Sequence, residues 1–493
     1  MNDHIPQPVR RSLLKGTAAL PFISALAALH AREAMAAGNT VRIASPYGPI
    51  APVNDLTTGL PLLKLPAGFS YKSFGWTGDL MTNGLPCPAA HDGMAVVRSR
   101  RVGRSTELVL IRNHELGGTT NSSFFGAPAV YDTGTSSSQY SAGGTTNVVF
   151  TDGNWVSVSP SLGGTRTNCA GGPTPWGSWL TCEEVGSDAA STQDRKHGYV
   201  FEVAADAAQT SAQPIIGMGR FAHEAVAVDP ATGIVYQSED SSGKSGFYRF
   251  IPNVTQGSLG SLAQGGTLQM AKVVGQNNVN VAPAELDQTY ALEWVTIANP
   301  DQNRGNATGL NGQVITSAAG PFVQGWQQGG LRMNRGEGMW YHAGKVYLMD
   351  TSGGTVNLGA IWELDLATQV MTCIYSTSGA SVGNMGDNIT VSPRGGIVIC
   401  EDASNAANDE FGLGQRLMGL SPNGDTFIFA KNNVNLSAAQ LTAAGKNPAL
   451  AANHVTNEFA GACFDPTGRY LFVNIQTPGI TFAITGPWAN GTL

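Results

Sequence analysis

Apolar residues along this chain come in short runs closed by Gly, Asn, Asp or Pro, and the runs pair off across tight turns. Ala225-Val226-Ala227-Val228 leads through Asp229-Pro230 and Gly233 to Ile234-Val235-Tyr236. Met339-Trp340-Tyr341 turns at His342 to Gly344 and returns as Val346-Tyr347-Leu348. Ile389-Thr390-Val391 turns at Pro393 to Gly396 and returns as Ile397 to Cys400. Runs of this length between turn residues are strand signals; a helix would need ten or more residues with apolar positions every three or four. The pattern predicts an all-β chain.

The paired runs repeat, and each copy carries polar residues at the same two places. One set stands near the start of the first run: Glu224, Glu337, Asn388 and Glu458. The other closes the second run: Glu239-Asp240, Asp350, Glu401-Asp402 and Asn474. Glu224 to Glu239 is 15 residues, Glu337 to Asp350 is 13, Asn388 to Glu401 is 13, and Glu458 to Asn474 is 16. Two looser copies precede them, Cys169 to Glu183 and His91-Asp92-Gly93-Met94 to Asn113-His114-Glu115. Six such units predict a six-bladed β-propeller. The first strand of every blade would then line one channel, gathering the polar starts into a ring. Carboxylates in a ring repel one another unless protonated or bridged by cations. Many hard oxygen ligands suit Ca²⁺ better than Mg²⁺, which keeps its waters. Gly118 to Asn147 and Asn253 to Gly329 read as long loop insertions, able to roof the channel mouth. The expected organisation is an N-terminal segment at 37–60 and a single propeller domain at 61–493.

Composition narrows the function. Charged residues are 13% and apolar ones 42%, with 62 glycines, which excludes a disordered chain and suits many short strands. A net charge of −7 with no basic run excludes a nucleic-acid partner. The segment 1–36 reads as an export signal: Arg10-Arg11-Ser12-Leu13-Leu14-Lys15-Gly16 is a twin-arginine signature, Thr17 to Leu29 is apolar, and Ala34-Met35-Ala36 offers a cleavage site. The expected partner is therefore the twin-arginine export machinery, and the expected location periplasmic or secreted. Losing 1–36 removes four basic and two acidic residues and leaves a net charge of −9. No later segment is long and apolar enough to span a bilayer, and a monomer is expected.

Several residues could carry chemistry. Cys169 is followed by Ala170-Gly171-Gly172-Pro173, small residues that let a thiol approach a metal, although an inert buried thiol fits as well. Cys182, Cys400 and Cys463 lie inside apolar runs and read as buried hydrophobes. Of the doublets Glu183-Glu184, Glu239-Asp240 and Glu401-Asp402, at most one member each can face a given site, because adjacent strand residues point to opposite sides. Arg335 stands two residues before Glu337, and Arg220 four before Glu224; each pair is either an ordinary ion pair or part of an anion site. His114, His223 and His454 are either ligands or hydrogen-bonded histidines. No nucleophile elbow, Walker loop or dinucleotide fingerprint stands out.

Asn113-His114-Glu115, the run Cys169 to Glu184, Arg220 to Glu224, Arg335 to Trp340, Asp387 to Gly396, Cys400 to Asp402 and Asn457 to Phe482, behind the Arg10-Arg11 signal, together resemble the PhoX family of bacterial alkaline phosphatases. The resemblance runs from about residue 60 to the end of the chain. It implies a six-bladed propeller whose channel holds iron (Fe³⁺) and calcium (Ca²⁺) and hydrolyses phosphate monoesters, a small-molecule phosphoester being the substrate. It further implies Cys169 as thiolate ligand of iron, and Glu224 and Glu337 as carboxylate ligands. The resemblance also makes Glu115, Glu183 and Glu458 further ligand candidates and implies that Arg335 is the phosphate-binding, catalytic arginine. Two other readings remain open from the residues: a calcium-dependent propeller esterase or lactonase, and a non-catalytic binding propeller with structural calcium. Neither would need Cys169.

Overall fold

Six short strands carry the repeat into three dimensions: His91–Val102, Asn168–Pro173, His223–Val228, Gly336–His342, Gly386–Val391 and Phe459–Phe464. The structure is a computed structural model that describes residues 40–120, 124–133, 140–185 and 195–493; the segment 1–36, expected to be an export signal, lies outside the described residues. Each of the six strands forms an edge of its sheet. They pack side by side in cyclic order, the last returning to the first. Residues from all six line a constriction of only about 20 Å³, among them Gly93, Ala170, Ala225, Gly338, Asn388 and Ala462. The small side chains are required there: a Cβ on Gly93 would sit 2.5 Å from the Ala170 Cα, and one on Gly338 2.7 Å from the Asn388 Cα.

The architecture is all-β and propeller-like, with strands meandering outward from this ring. The described residues contain only two α-helices, Gly320–Gln327 and Ala438–Ala443. The sheets are not six separate blades, however. Thr289–Thr296 pairs with Val370–Ser376, so two meanders fuse at their outer edges into one nine-stranded sheet. The sheet of Gly386–Val391 is also extended outward to six strands by Leu63–Pro66 and Ile50–Val53. Repetition along the chain predicts the inner strands well; it carries no information about outer edges, where unpaired backbone seeks any partner.

One other expectation changes, and the N-terminal segment gains a described place. The stretch Asn253 to Gly329 is not a loop: it contains Gly266–Val273 and Thr289–Thr296, a hairpin at Gly305–Thr308 and Val314–Ala318, and the first helix. Its polar composition masks enough apolar residues for a core of its own, in which Leu268, Met270, Phe322 and Trp326 pack together. The segment before residue 60 is likewise built in. Thr40 bridges to Thr377, and Ile50–Val53 pairs with Leu63–Pro66. Ser70–Phe74 pairs with Ile480–Thr485, so the start of the chain closes the sheet formed by its end. Tyr47, Phe69, Phe429 and Trp488 bury together at that seam, and the Leu493 N–H donates to the Tyr47 hydroxyl at 2.8 Å. No helix among the described residues is long and apolar enough to cross a membrane.

Candidate metal centre

All six ring strands break register at the same point. In the first, His91 faces His114 and Met94 faces Arg112, so one extra residue is accommodated between the pairs. The same step occurs after Asn168, His223, Gly336, Gly386 and Ala460. Such a β-bulge re-aims the extra side chain. In chain order the residue after the last regular pair is Asp92, Cys169, Glu224, Glu337, Asp387 and Gly461. Five of the six are acids or a thiol. The sixth position is glycine at φ +61°, where a Cβ would collide with the Asp92 carbonyl oxygen. That strand supplies its carboxylate from just upstream, at Glu458.

The second strands deliver the rest by alternation. In four of them the last residue, Glu183, Glu239, Asp350 or Glu401, accepts from backbone N–H groups, and where a carboxylate follows the last residue it faces the ring. Glu183 is fully buried, accepts from the backbone N–H of Arg166, Gly198 and Tyr199, and lies 2.7 Å from His197 Nδ1. Glu239 accepts from Gly246 N and the Tyr248 hydroxyl, and Glu401 from Asn384 N and both Arg416 Nε and Nη2. The channel therefore receives Glu115, Glu184, Asp240 and Asp402.

Together these residues form a continuous belt of four overlapping groups. Asp92, Glu115 and Cys169 make the first; Cys169, Glu184 and Glu224 the second; Glu224, Glu337 and Asp387 the third; Asp387, Asp402 and Glu458 the fourth. Within each, one ligand atom per residue lies within 4.8 Å of the others. Of the residues expected from the sequence, Cys169, Glu224, Glu337, Glu115 and Glu458 come together here. Glu183 does not, and its neighbour Glu184 takes the place. Asp92, Asp387 and Asp402 are additions that the repeat contained but did not single out.

The belt has more negative charge than the fold can neutralise. Both carboxylate oxygens of Glu224 and Oδ1 of Asp92 are buried and have no hydrogen-bond partner among the described residues. Burial, with repulsion from Glu337, Asp387, Glu184 and Asp92, pushes the Glu224 carboxyl far above its usual range. Burial raises Asp387 to about 8, with Asp402 adding to the effect. Burial also lifts Glu115 to about 7 and the Cys169 thiol well above its normal value. Unpaired buried charge is costly, and cations held between the carboxylates would remove that cost. The belt therefore fits metal ions. In metal-free protein the native state keeps protons on Glu115 and Asp387 that the unfolded chain has lost between pH 4 and 8. Its stability should then fall as pH rises through that window, while metal-loaded protein stays level. Melting temperatures at pH 4.5 and 8, with and without chelator, test this.

Arg335 borders the third group. Its backbone is left-handed, φ +67°, a strained conformation for a non-glycine residue. Nε and Nη2 donate to Asp240 at 3.0 Å each, and Nη2 lies 2.7 Å from Glu337 Oε1. Burial opposes its charge, but the Asp240 hydrogen bonds and the Glu337 charge outweigh that and raise its pKa. The side chain is one-third exposed, and among the described residues Nη1 has no partner. Arg220 plays no such part: it pairs with Asp301 at 2.7 Å. The histidines are also engaged elsewhere, His114 with Ala89 O and Thr146, His223 with Gly219 O, and His454 with Leu450 O and Asn457. All six cysteines are free and buried.

The family profile for alkaline phosphatase PhoX matches residues 45–161 and 157–479. The chain belongs to the PhoX family. As a member of that alkaline phosphatase family it is a phosphatase, a hydrolase of phosphoesters. Among solved structures, Pseudomonas fluorescens PhoX in complex with vanadate, a transition state analogue, is 18% identical, with a TM-score of 0.60 over 90% of this chain and 99% of that one. That likeness shares the fold. A luciferin-regenerating enzyme is 9% identical, with a TM-score of 0.25 over 63% of this chain and 88% of the other. No curated protein matches the sequence.

The outward clamps matter to this PhoX member because they hold the residues beside the belt. His197 lies between Glu183 and Asp132, at 2.7 and 3.2 Å, with all three side chains almost fully buried. Burial alone would lower its pKa, but Glu183 and Asp132 outweigh it and raise it to about 9. The stabilisation, of the order of 3 kcal/mol, is complete below pH 6.5 and lost as pH rises through 9. His197→Gln should therefore cost about 3–5 kcal/mol at pH 6 by stranding two buried carboxylates. The gap to the parent protein should narrow above pH 9, as read by denaturant unfolding. A cavity of about 240 Å³ lies at the far ends of the ring strands, lined by Pro173, Val228 and Trp340 among others. No carboxylate, histidine or thiol lines it, so it is separate from this chemistry.

Proposed function

We propose that this chain hydrolyses phosphate monoesters at an iron–calcium centre in the channel of a six-bladed propeller, after export to the periplasm by the twin-arginine route. The observation that carries the metal reading is the pair of buried, partnerless carboxylate oxygens on Glu224, shared between two adjoining groups of the belt. The six inner strands in a closed ring support six blades, with the third and fourth fused at their rims.

The donor sets separate by chemistry. The two groups that share Cys169 combine a thiol with carboxylates, a set suited to iron; the other two offer oxygen alone and suit calcium. Cys169, Asp92, Glu115, Glu184 and Glu224 would hold iron, and Glu224, Glu337, Asp387, Asp402 and Glu458 calcium. When bound, such ions polarise a phosphoryl oxygen and supply an activated oxygen nucleophile. The protein's own contribution is positional and electrostatic. Asp240 and Glu337 fix the Arg335 guanidinium at the edge of the belt, with Nη1 left to bind a phosphoryl oxygen and offset its developing charge. Next to the belt the ring strands leave a constriction of only about 20 Å³. The partly exposed Glu115, Glu184 and Asp402 mark the open side, from which substrate would enter.

The esterase and binding-propeller readings leave Cys169 without a purpose between two carboxylate groups. Chelation followed by reconstitution tests the difference. Calcium with iron should restore hydrolysis of 4-nitrophenyl phosphate and calcium alone should not. Full recovery with calcium alone would reject the iron assignment.

A further inference from the structure

A β-bulge leaves main-chain groups without their ladder partners. Here side chains from neighbouring second strands take up some of them. In three of the six second strands the penultimate residue reaches across to the next ring strand. Asn113 donates from Nδ2 to the carbonyls of Cys169 and Ala170, at 2.9 and 2.7 Å. Ser238 donates to the Glu337 carbonyl at 2.7 Å, and Asn474 to the Asp92 carbonyl at 2.7 Å. The other three penultimate positions are Cys182, Met349 and Cys400. Asn113 makes the most extensive connection. It is fully buried, and its Oδ1 accepts from Trp179 Nε1 and Thr181 Oγ1, both at 2.9 Å. Thr181 also accepts from Asn168 Nδ2 at 2.9 Å, so the residue before Cys169 joins the same network. Two donors on one side and two acceptors on the other leave the amide a single orientation.

We propose that Asn113 is a positioning residue for the Cys169 thiolate. Two successive carbonyls held by one amide fix the bulge, and the bulge aims Sγ to the point where the first two groups of the belt meet. The inference rests on Cys169 being a metal ligand. Asn113→Asp keeps the size of the side chain but sets a carboxylate oxygen against the two carbonyls and removes both donated bonds.

Cobalt(II) is the probe, since a thiolate ligand gives it a charge-transfer absorption that carboxylates do not. Metal-stripped protein is titrated with Co²⁺ in the wild type, Asn113→Asp, Thr181→Val and Asn147→Asp. Asn147 is the control: it donates to Ala204 O and Ala205 O across the same pair of sheets, but from an outer strand. Loss of a supporting hydrogen bond to a ligand costs about 10–100-fold in metal affinity. Asn113→Asp should show a loss of that size and a weakened or displaced thiolate band, while Asn147→Asp binds Co²⁺ as the wild type does. Thr181→Val, which removes one of the two donors to the Asn113 Oδ1, should fall between. A folded Asn113→Asp protein with wild-type band and affinity would overturn the proposal. So would an equal loss in Asn147→Asp, which would make the effect one of sheet packing. If Asn113→Asp does not fold, Thr181→Val decides, and wild-type binding there overturns the proposal. A wild-type protein without the band, or a Cys169→Ser protein that keeps it, would overturn the ligand assignment as well.

Discussion

Cys169→Ala is expected to abolish phosphatase activity and iron binding while leaving calcium in the protein. The thiol belongs to two of the four groups, so its loss opens both thiol-containing sites at once. The all-oxygen groups, Glu224 with Glu337 and Asp387, and Asp387 with Asp402 and Glu458, keep every ligand. The loss of iron affinity should exceed the roughly 10–100-fold that a missing supporting hydrogen bond costs. The fold should survive, because Cys169 fills little core volume and the ring strands pack through Gly93, Ala170 and Ala225. Metal analysis beside circular dichroism makes the check. A variant that keeps iron and turnover would remove the thiolate from the site.

Arg335→Ala should lower kcat by about 10²–10³-fold, the range for removing one preorganised donor to a developing charge. The effect should fall on turnover with metal content unchanged, since Arg335 is not in any ligand group. Arg335→Lys should recover only part of the loss. A lysine keeps the charge but cannot bond Asp240 through two nitrogens while presenting a third to substrate. Loss of metal in step with activity would instead make Arg335 a counter-charge to Asp240 and Glu337.

The ring was legible because the paired strands recur, unevenly spaced along the chain, with a near-equal 13–16 residues between the two polar positions of the clearest copies, a pattern that neither a sandwich nor a helical fold would impose. The small residues Ala170, Gly171 and Gly172 draw notice to Cys169, but its reading as a ligand comes from the resemblance to the PhoX family, since an inert buried thiol fits the residues as well. What the sequence could not reveal is the side to which each polar residue points. Alternation limits Glu183-Glu184, Glu239-Asp240 and Glu401-Asp402 to one channel-facing member each, but the choice depends on the register in which each second strand pairs. That is a matter of backbone hydrogen bonding, not residue type. Glu183 was therefore expected in the belt and is found clamping backbone N–H groups, with Glu184 in its place. Asp92 and Asp387 are extra residues of bulges, invisible to a regular strand pattern. The fused rim between Thr289–Thr296 and Val370–Ser376 was hidden for a related reason: an outer edge pairs with whatever strand lies beside it.

The claim on which the rest depends is that the carboxylate belt is a mixed metal centre. The most direct measurement is the elemental content per chain of protein produced with its own N-terminal segment, with 4-nitrophenyl phosphate hydrolysis measured on the same sample. Iron and calcium present together in an active protein is the result expected from Cys169 flanked by all-oxygen groups. Calcium without iron, in a protein that does not hydrolyse the ester, would contradict it.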